Sequence, residues 1–228
     1  MNNDKPIQLS PSSLNLYLEC PRCFWLEKRY GIKRPPPYPY ALNMAVDTLL
    51  KKEFDSYRAK GKPHPLITEN NIQAKLFSDQ QKLNQWRSNF EGIRYYDTGL
   101  GATLFGAVDD ILEFPNNKLA PLDYKSTGSK VPKVYDRFQL QMDVYTFLLE
   151  KNGFLTPKKG YLAFYIVDKE NGFEDRLPFR KELHEIDTDS SYVQGIFEEA
   201  VTLLRNKKLP SSHQDCQFCR WLKQASNF

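Results

Sequence analysis

The chain has 228 residues, 40% of them hydrophobic, and carries 32 Lys and Arg against 28 Asp and Glu, a formal net charge of +4. This length suits one domain with a good core, residues 1–228, and the charge is too small to identify a nucleic-acid binder by itself. No apolar run approaches a membrane span, the N-terminus is polar with no secretory signal, and a cytoplasmic protein without a membrane partner is expected.

In Leu9-Ser-Pro-Ser-Ser-Leu14, Ser10 is placed to cap a helix and Pro11 sits at its first position, where the fixed proline torsion is favourable. That helix is expected to run into Tyr17-Leu-Glu-Cys20-Pro21-Arg22-Cys23-Phe24-Trp25. Lys28, Arg29, Lys33 and Arg34 follow, and then Pro35-Pro-Pro-Tyr38-Pro-Tyr40. These cations and rings suit phosphates and unpaired bases, or else form a solvated charged loop. The next helix has Leu42, Val46, Leu49, Leu50 and Phe54 as its apolar face, with Asp47 at the boundary and Lys51 one turn on, placed to pair with it. Residues 70 to 90 read as a helical pair or one broken helix around Ile72, Leu76, Leu83 and Trp86.

Gly106-Ala-Val-Asp109-Asp110-Ile-Leu and Pro121-Leu-Asp123-Tyr124-Lys125-Ser126 read as two strands paired through the turn Pro115-Asn116-Asn117-Lys118. Side chains alternate across a strand, so Asp123 and Lys125 share a face, roughly 7 Å apart. A two-residue loop at Asn116-Asn117 would set Phe114 opposite Leu119 and Asp110 opposite Asp123, and a bulge would exchange Asp110 for Asp109. Two convergent carboxylates and a lysine suit phosphodiester hydrolysis: hard oxygen ligands hold Mg²⁺ or Mn²⁺, which polarises a phosphoryl oxygen and acidifies a water. A bare D-x-K is equally compatible with an ordinary charged hairpin. The segment Thr127 to Tyr135, with Gly128 and Pro132, reads as a loop able to close over substrate, and Lys130, Lys133 and Arg137 lie around it, after the strand of Asp123 and Lys125. From Tyr135 to Lys151, Phe138, Met142, Tyr145, Leu148 and Leu149 recur at helical spacing. Gln141 and Tyr145 then share a face, with core packing the plain alternative for Tyr145.

Gly160 to Val167 is a strongly apolar strand, further strand character lies near Phe173 to Phe179, and a helix from Asp189 through Val193, Phe197, Val201 and Leu204 to Lys207 ends before Pro210. The expected fold is α/β, of mixed α+β character, with a central mixed sheet flanked by helices. All four cysteines fall in two C-x2-C pairs, Cys20 with Cys23 and Cys216 with Cys219. Two such pairs form the ligand set of a structural Zn²⁺ or an iron-sulfur cluster, and would fasten the N-terminal helix to the C-terminal tail. His213 is either a substitute ligand or a surface histidine. No G-x-x-x-x-G-K-[ST] motor motif is present.

The order G-x-x-D, D-x-K, Q-x-x-x-Y on strand, strand and helix, with the serine-led cysteine-proline entry, resembles the RecB-like branch of the PD-(D/E)xK nuclease superfamily across nearly the whole chain. The resemblance implies a restriction-endonuclease-like core and a metal-dependent deoxyribonuclease, an exonuclease on single-stranded or frayed DNA in repair, recombination or CRISPR-type defence. It implies that Asp109 and Asp123 bind Mg²⁺ or Mn²⁺ with the Tyr124 carbonyl, that Lys125 is catalytic, and that Gln141 and Tyr145 contact DNA or steady the site. Where such nucleases carry a histidine ligand on an early helix, this chain offers Asp47. Iron-sulfur members, of the CRISPR-adaptation and AddB type, place one cysteine before the core and three after it. Here Cys23 stands in for the last, which would fall near Ala225, so a [4Fe-4S] cluster is implied beside the zinc alternative. Relatives work beside helicases or integrases, which leaves a second reading: a catalytically weak DNA-binding or structural subunit of a larger complex.

Overall fold

The computed structural model describes residues 6–35, 41–170, 172–173 and 175–226. In chain order the elements are β1 (Ile7–Leu9), α1 (Pro11–Glu19), α2 (Pro21–Tyr30), α3 (Ala41–Ala59), α4 (Pro65–Glu69), β2 (Lys75–Leu76), α5 (Gln80–Arg87), β3 (Ile93–Asp97), β4 (Ala102–Gly106), β5 (Asp110–Phe114), a 3₁₀ turn at Pro115–Asn117, β6 (Lys118–Thr127), α6 (Asp136–Lys151), β7 (Lys159–Val167), β8 (Phe179–Asp187), α7 (Val193–Arg205) and α8 (Gln217–Ala225). The tyrosines expected to stack on bases, Tyr38 and Tyr40, lie outside the described residues. Contacts divide the chain into two compact units, one of Met1–Pro39, Tyr96–Leu104 and Ser191–Phe228, the other of Tyr40–Tyr95 and Phe105–Ser190.

In the first unit, Ser10 caps α1 through the Ser13 N–H, with Pro11 in the first turn, as expected. The helix does not run on through Cys20. Proline disfavours helical torsions at the residue before it, and Cys20 is extended (φ −164°, ψ 106°), so α2 starts afresh at Pro21. Helices α1 and α2 pack on α7, and β1 pairs in parallel with Ala102–Leu104. Helix α7 begins at Val193, later than the Asp189 expected, and ends at Arg205. Two basic residues expected for phosphates are committed elsewhere: the Arg29 guanidinium donates to the Leu204 and Asn206 carbonyls at the end of α7, and Arg34 pairs with Glu19. A helix end leaves such carbonyls without partners, which explains Arg29.

The second unit is built on a five-stranded mixed sheet of order β2-β5-β6-β7-β8, in which β6 and β7 are parallel and the other pairs antiparallel. On one face Val46, Leu50 and Phe54 of α3 pack with Leu112, Leu122, Tyr124, Tyr161 and Tyr165. Leu42 and Leu49, expected on that apolar stripe, are exposed. Helix α6 crosses the opposite face, on β6 and β7, and comes so close that a Cβ on Gly160 would lie 3.0 Å from Met142 Sδ.

Three sequence expectations change here. Ile72 and Leu76 are not helical: Asn71 takes a left-handed torsion (φ 56°) after α4, and Leu76 pairs with Leu112 at the sheet edge. The strand expected near Phe173 to Phe179 instead starts at Phe179 and runs to Asp187. The acidic hairpin turns through three residues, with Phe114 opposite Lys118 and Asp110 opposite Leu122. Pro115 has no N–H to close the ladder, so it joins the turn, and Asn116 and Asn117 take left-handed torsions (φ 62° and 56°).

Candidate active site and cysteine centre

That register sends the neighbouring aspartates to different surroundings. Asp110 lies on the same side of β5 as Leu112, toward α3, and is wholly buried. Its carboxylate accepts from Arg58, from Arg87 Nη2 at 3.1 Å, from the Tyr124 hydroxyl at 2.7 Å and from the Ile111 N–H at 2.8 Å. Arg58 and Arg87 also share Asp55. Motif order passes over this network, yet its signal is present in the sequence: Arg58 continues the i, i+4 stripe of Val46, Leu50 and Phe54, where a cation requires a buried partner.

Asp109 lies just ahead of β5 and is bound differently. Its Oδ2 accepts from the Tyr124 N–H at 3.0 Å, its Oδ1 meets Lys51 Nζ at 2.9 Å, and its backbone carbonyl accepts from Arg87 Nε at 2.6 Å. A strand residue presents its N–H and C=O along the same edge, so the Tyr124 carbonyl faces the side on which Asp109 sits. Lys51 also donates to Asp47 Oδ2 at 2.8 Å. Burial alone would depress the Lys51 ammonium, but Asp109 and Asp47 hold it above the usual lysine range.

Asp123 and Lys125 project from β6 toward α6. Asp123 is 2% exposed, and its Oδ1 accepts from Gln141 Nε2 at 2.9 Å. Its Oδ2 touches the Lys125 ammonium without a donor in hydrogen-bonding geometry, so the contact is an ion pair and the oxygen keeps a free lone pair. Burial, reinforced by Asp109, pushes the Asp123 carboxyl up to about 7 despite Lys125. Gln141 organises the group: Oε1 accepts from Lys125 Nζ at 3.1 Å, while Nε2 also donates to the Tyr145 hydroxyl at 2.8 Å, which donates to the Ala107 carbonyl at 2.6 Å. Reversing the amide would set its oxygen against a carboxylate, so these partners fix its orientation. Burial, then Asp123 and Asp109, keeps the Tyr145 phenol protonated well above its ordinary value. Gly106 makes room for that ring, since a Cβ there would lie 2.6 Å from Tyr145 Cε1.

A family model described as the PD-(D/E)XK nuclease superfamily matches residues 8–224. The chain belongs to this superfamily. Among solved structures, that titled "Crystal structure of SSO0001" is 16% identical with a TM-score of 0.47, over 96% of this chain and 86% of its own. An alkaline exonuclease, LHK-Exo from Laribacter hongkongensis, is 12% identical with a TM-score of 0.42, over 96% and 94%. No curated protein matches the chain.

As a PD-(D/E)XK nuclease the chain is a hydrolase of a family that uses divalent metals, and the donors present fit a hard ion. Asp109 and Asp123 are hard oxygen donors, with Asp109 close enough to raise the proton affinity of Asp123 and one Asp123 lone pair free in a buried place. Next to this group, the Lys125 ammonium lies 4.6 Å from the Phe138 ring centre, Arg137 stacks on Phe138 and Tyr135, and Lys133 lies over Tyr135. Lys130 is almost fully exposed, 3.8 Å from Glu170.

In the first unit of the nuclease the four cysteines converge. Their sulfurs all lie within 4.8 Å of one another, with Cys23 3.6 Å from both Cys216 and Cys219, and Cys20 3.8 Å from Cys219. All four are free thiols rather than disulfides. Arg34 Nη2 donates to Cys216 Sγ at 3.7 Å. Burial would raise the Cys20 thiol, but backbone donors at Cys23 and His213 bring it down to about 7, whereas burial keeps Cys219 well above the usual value. The His213 side chain is half exposed and pairs with Asp215. Tetrahedral thiolates at the usual zinc–sulfur distance stand about 3.8 Å apart, so the observed spacing fits one ion. A cubane binds each sulfur to a different iron, and needs them spread more widely. Among the described residues no helix is long and apolar enough to cross a membrane.

Proposed function

We propose that the chain is a Mg²⁺- or Mn²⁺-dependent deoxyribonuclease of the RecB-like branch, an exonuclease acting on single-stranded or frayed DNA in the cytoplasm, with residues 1–228 as one nuclease domain. The family match across residues 8–224 supports that extent. One arrangement carries the reading: Asp109, just ahead of β5, reaches the Tyr124 N–H beside Asp123 on β6, with Gln141 holding both Asp123 and Lys125. Asp109, Asp123 and the Tyr124 carbonyl would hold the ion, with Asp47 in the place of the histidine of related nucleases. The ion, when bound, polarises the scissile phosphate and acidifies a water. Lys125 orients that water and offsets the charge that develops on the phosphate, Gln141 keeps Lys125 and Asp123 in register, and Tyr145 fixes Gln141. Lys130, Lys133 and Arg137 with Tyr135 and Phe138 combine cations and rings as a single-strand track requires, with the loop before α6 as the moving part.

For the cysteine centre the sulfur spacing supports a single tetrahedral Zn²⁺, and the [4Fe-4S] cluster is the alternative that the family resemblance implies. The visible spectrum of anaerobically purified protein separates them, since zinc is colourless. A second functional reading, a catalytically weak DNA-binding or structural subunit beside a helicase or integrase in repair, recombination or CRISPR-type defence, is supported by the Lys51 bridge between Asp47 and Asp109. Cleavage of labelled single- and double-stranded DNA decides between them. Lys125→Ala and Asp123→Ala should abolish metal-dependent cleavage with the fold intact; full cleavage by a pure variant would overturn the enzyme assignment.

A further inference from the structure

The roles given to Asp47, Asp109, Asp123 and Lys125 leave Lys51 without one. Its ammonium lies 2.8 Å from Asp47 Oδ2 and 2.9 Å from Asp109 Oδ1. Asp109 Oδ2 accepts from the Tyr124 N–H and Oδ1 meets Lys51, so each oxygen of this carboxylate already has a donor. Lys125 forms an ion pair with Asp123 Oδ2, and two ammoniums together carry the charge of one divalent cation.

The two lysines differ in how they are tethered. Lys125 is held by Gln141 and lies over Phe138. The hydrogen bonds and ion pairs of Lys51 among the described residues go to Asp47 and Asp109. Val46, Leu50 and Phe54 anchor the helix beneath it in the core. The side chain above is a flexible four-carbon stem, 27% exposed, so its head can turn to water while the backbone stays still.

We propose that Lys51 is the resident counter-ion of the site: it holds Asp47 and Asp109 in the absence of a divalent ion, must be displaced for that ion to bind, and thereby sets the site's affinity. This rests on the reading of Asp109 and Asp123 as ion ligands. An ammonium held against Asp47 and Asp109 repels a divalent ion at the same carboxylates, so the two oppose one another's binding. The two compete, and removing the ammonium favours the ion.

The test is Mn²⁺ binding by the full chain, followed by electron paramagnetic resonance of the free ion, for the unaltered protein, Lys51→Met, Lys51→Gln and Asp123→Asn. Both Lys51 variants should bind Mn²⁺ more tightly, by about tenfold or more for loss of one adjacent positive charge, and Asp123→Asn should lose tight binding. Unchanged or weaker binding by the Lys51 variants, with Asp123→Asn still defective, overturns the counter-ion role and leaves the ion site standing. Mn²⁺ binding that survives Asp123→Asn, or no binding by the unaltered protein and either Lys51 variant, overturns both. Should Lys51→Met fail to fold, Lys51→Gln, which keeps a polar head at similar reach, separates the same outcomes.

Discussion

The carboxylate group and the cysteine centre are both suited to a metal, but they are held in opposite ways. Asp109 and Asp123 are fixed by the Tyr124 N–H, the Gln141 amide and two lysines, so the protein's own donors shape that site. Cys20, Cys23 and Cys216 are buried, and the sulfurs have mainly one another as neighbours, with Arg34 at Cys216. A site organised by hydrogen bonds keeps its shape without an ion, whereas four clustered thiolates would need a metal to offset their mutual repulsion.

If that contrast is right, stripping metal from the cysteine centre under reducing conditions should cost about 5 kcal/mol or more, on the scale of structural zinc sites. Removing Mg²⁺ should barely move the melting temperature; calorimetry with a strong and a weak chelator tests both, and equal shifts would abolish the distinction. Next, Arg58→Met strands Asp110 with a weaker set of partners in a dry interior, and should cost about 3–5 kcal/mol in denaturant unfolding. A loss no larger than that of an exposed arginine would mean that the network behind the carboxylates is not what holds them.

A pH series probes the carboxylate side of the contrast. The folded Asp123 carboxyl is pushed up to about 7 against an ordinary 3.8, by burial and then by Asp109. The folded state therefore binds the extra proton between those values, and this group's contribution to stability falls as pH rises through that window, complete by about 7. The ion-free protein should lose more stability from pH 4 to 7 than Asp123→Asn does, and parallel curves would refute the shift. Tyr145→Phe should do least, since it cuts only the link from Gln141 to the Ala107 carbonyl: about 1 kcal/mol in stability and about tenfold in turnover, with substrate affinity little changed.

The sequence was most readable where side-chain chemistry and periodicity agreed. Ser10 and Pro11 announced α1, the spacing from Phe138 to Leu149 announced α6, and the apolar run from Gly160 announced β7. Strand β8 lies beyond its expected place because Arg180, Lys181, Glu182, His184 and Glu185 make that stretch resemble a charged loop until its pairing with β7 is seen. Among the candidate residues, Asp109, Asp123, Lys125, Gln141 and Tyr145 come together, yet the choice between Asp109 and Asp110 turned on one residue of loop length at Pro115. Parity in a strand is invisible to motif order, because one step exchanges the two faces. Arg58 and Arg87 were illegible for another reason: their partner Asp110 is distant in sequence, and only the packed sheet brings them together.

Cys23 and Cys216 meet across 193 positions of sequence, and the residues between them include the whole of the second compact unit. During synthesis the first thiol pair therefore waits while the carboxylate site is made, and gains its partners only after α7 has left the ribosome. A chain cut short before Cys216 would carry the acids, the lysines and the glutamine, and still expose two unpaired thiols to oxidants and to chaperones.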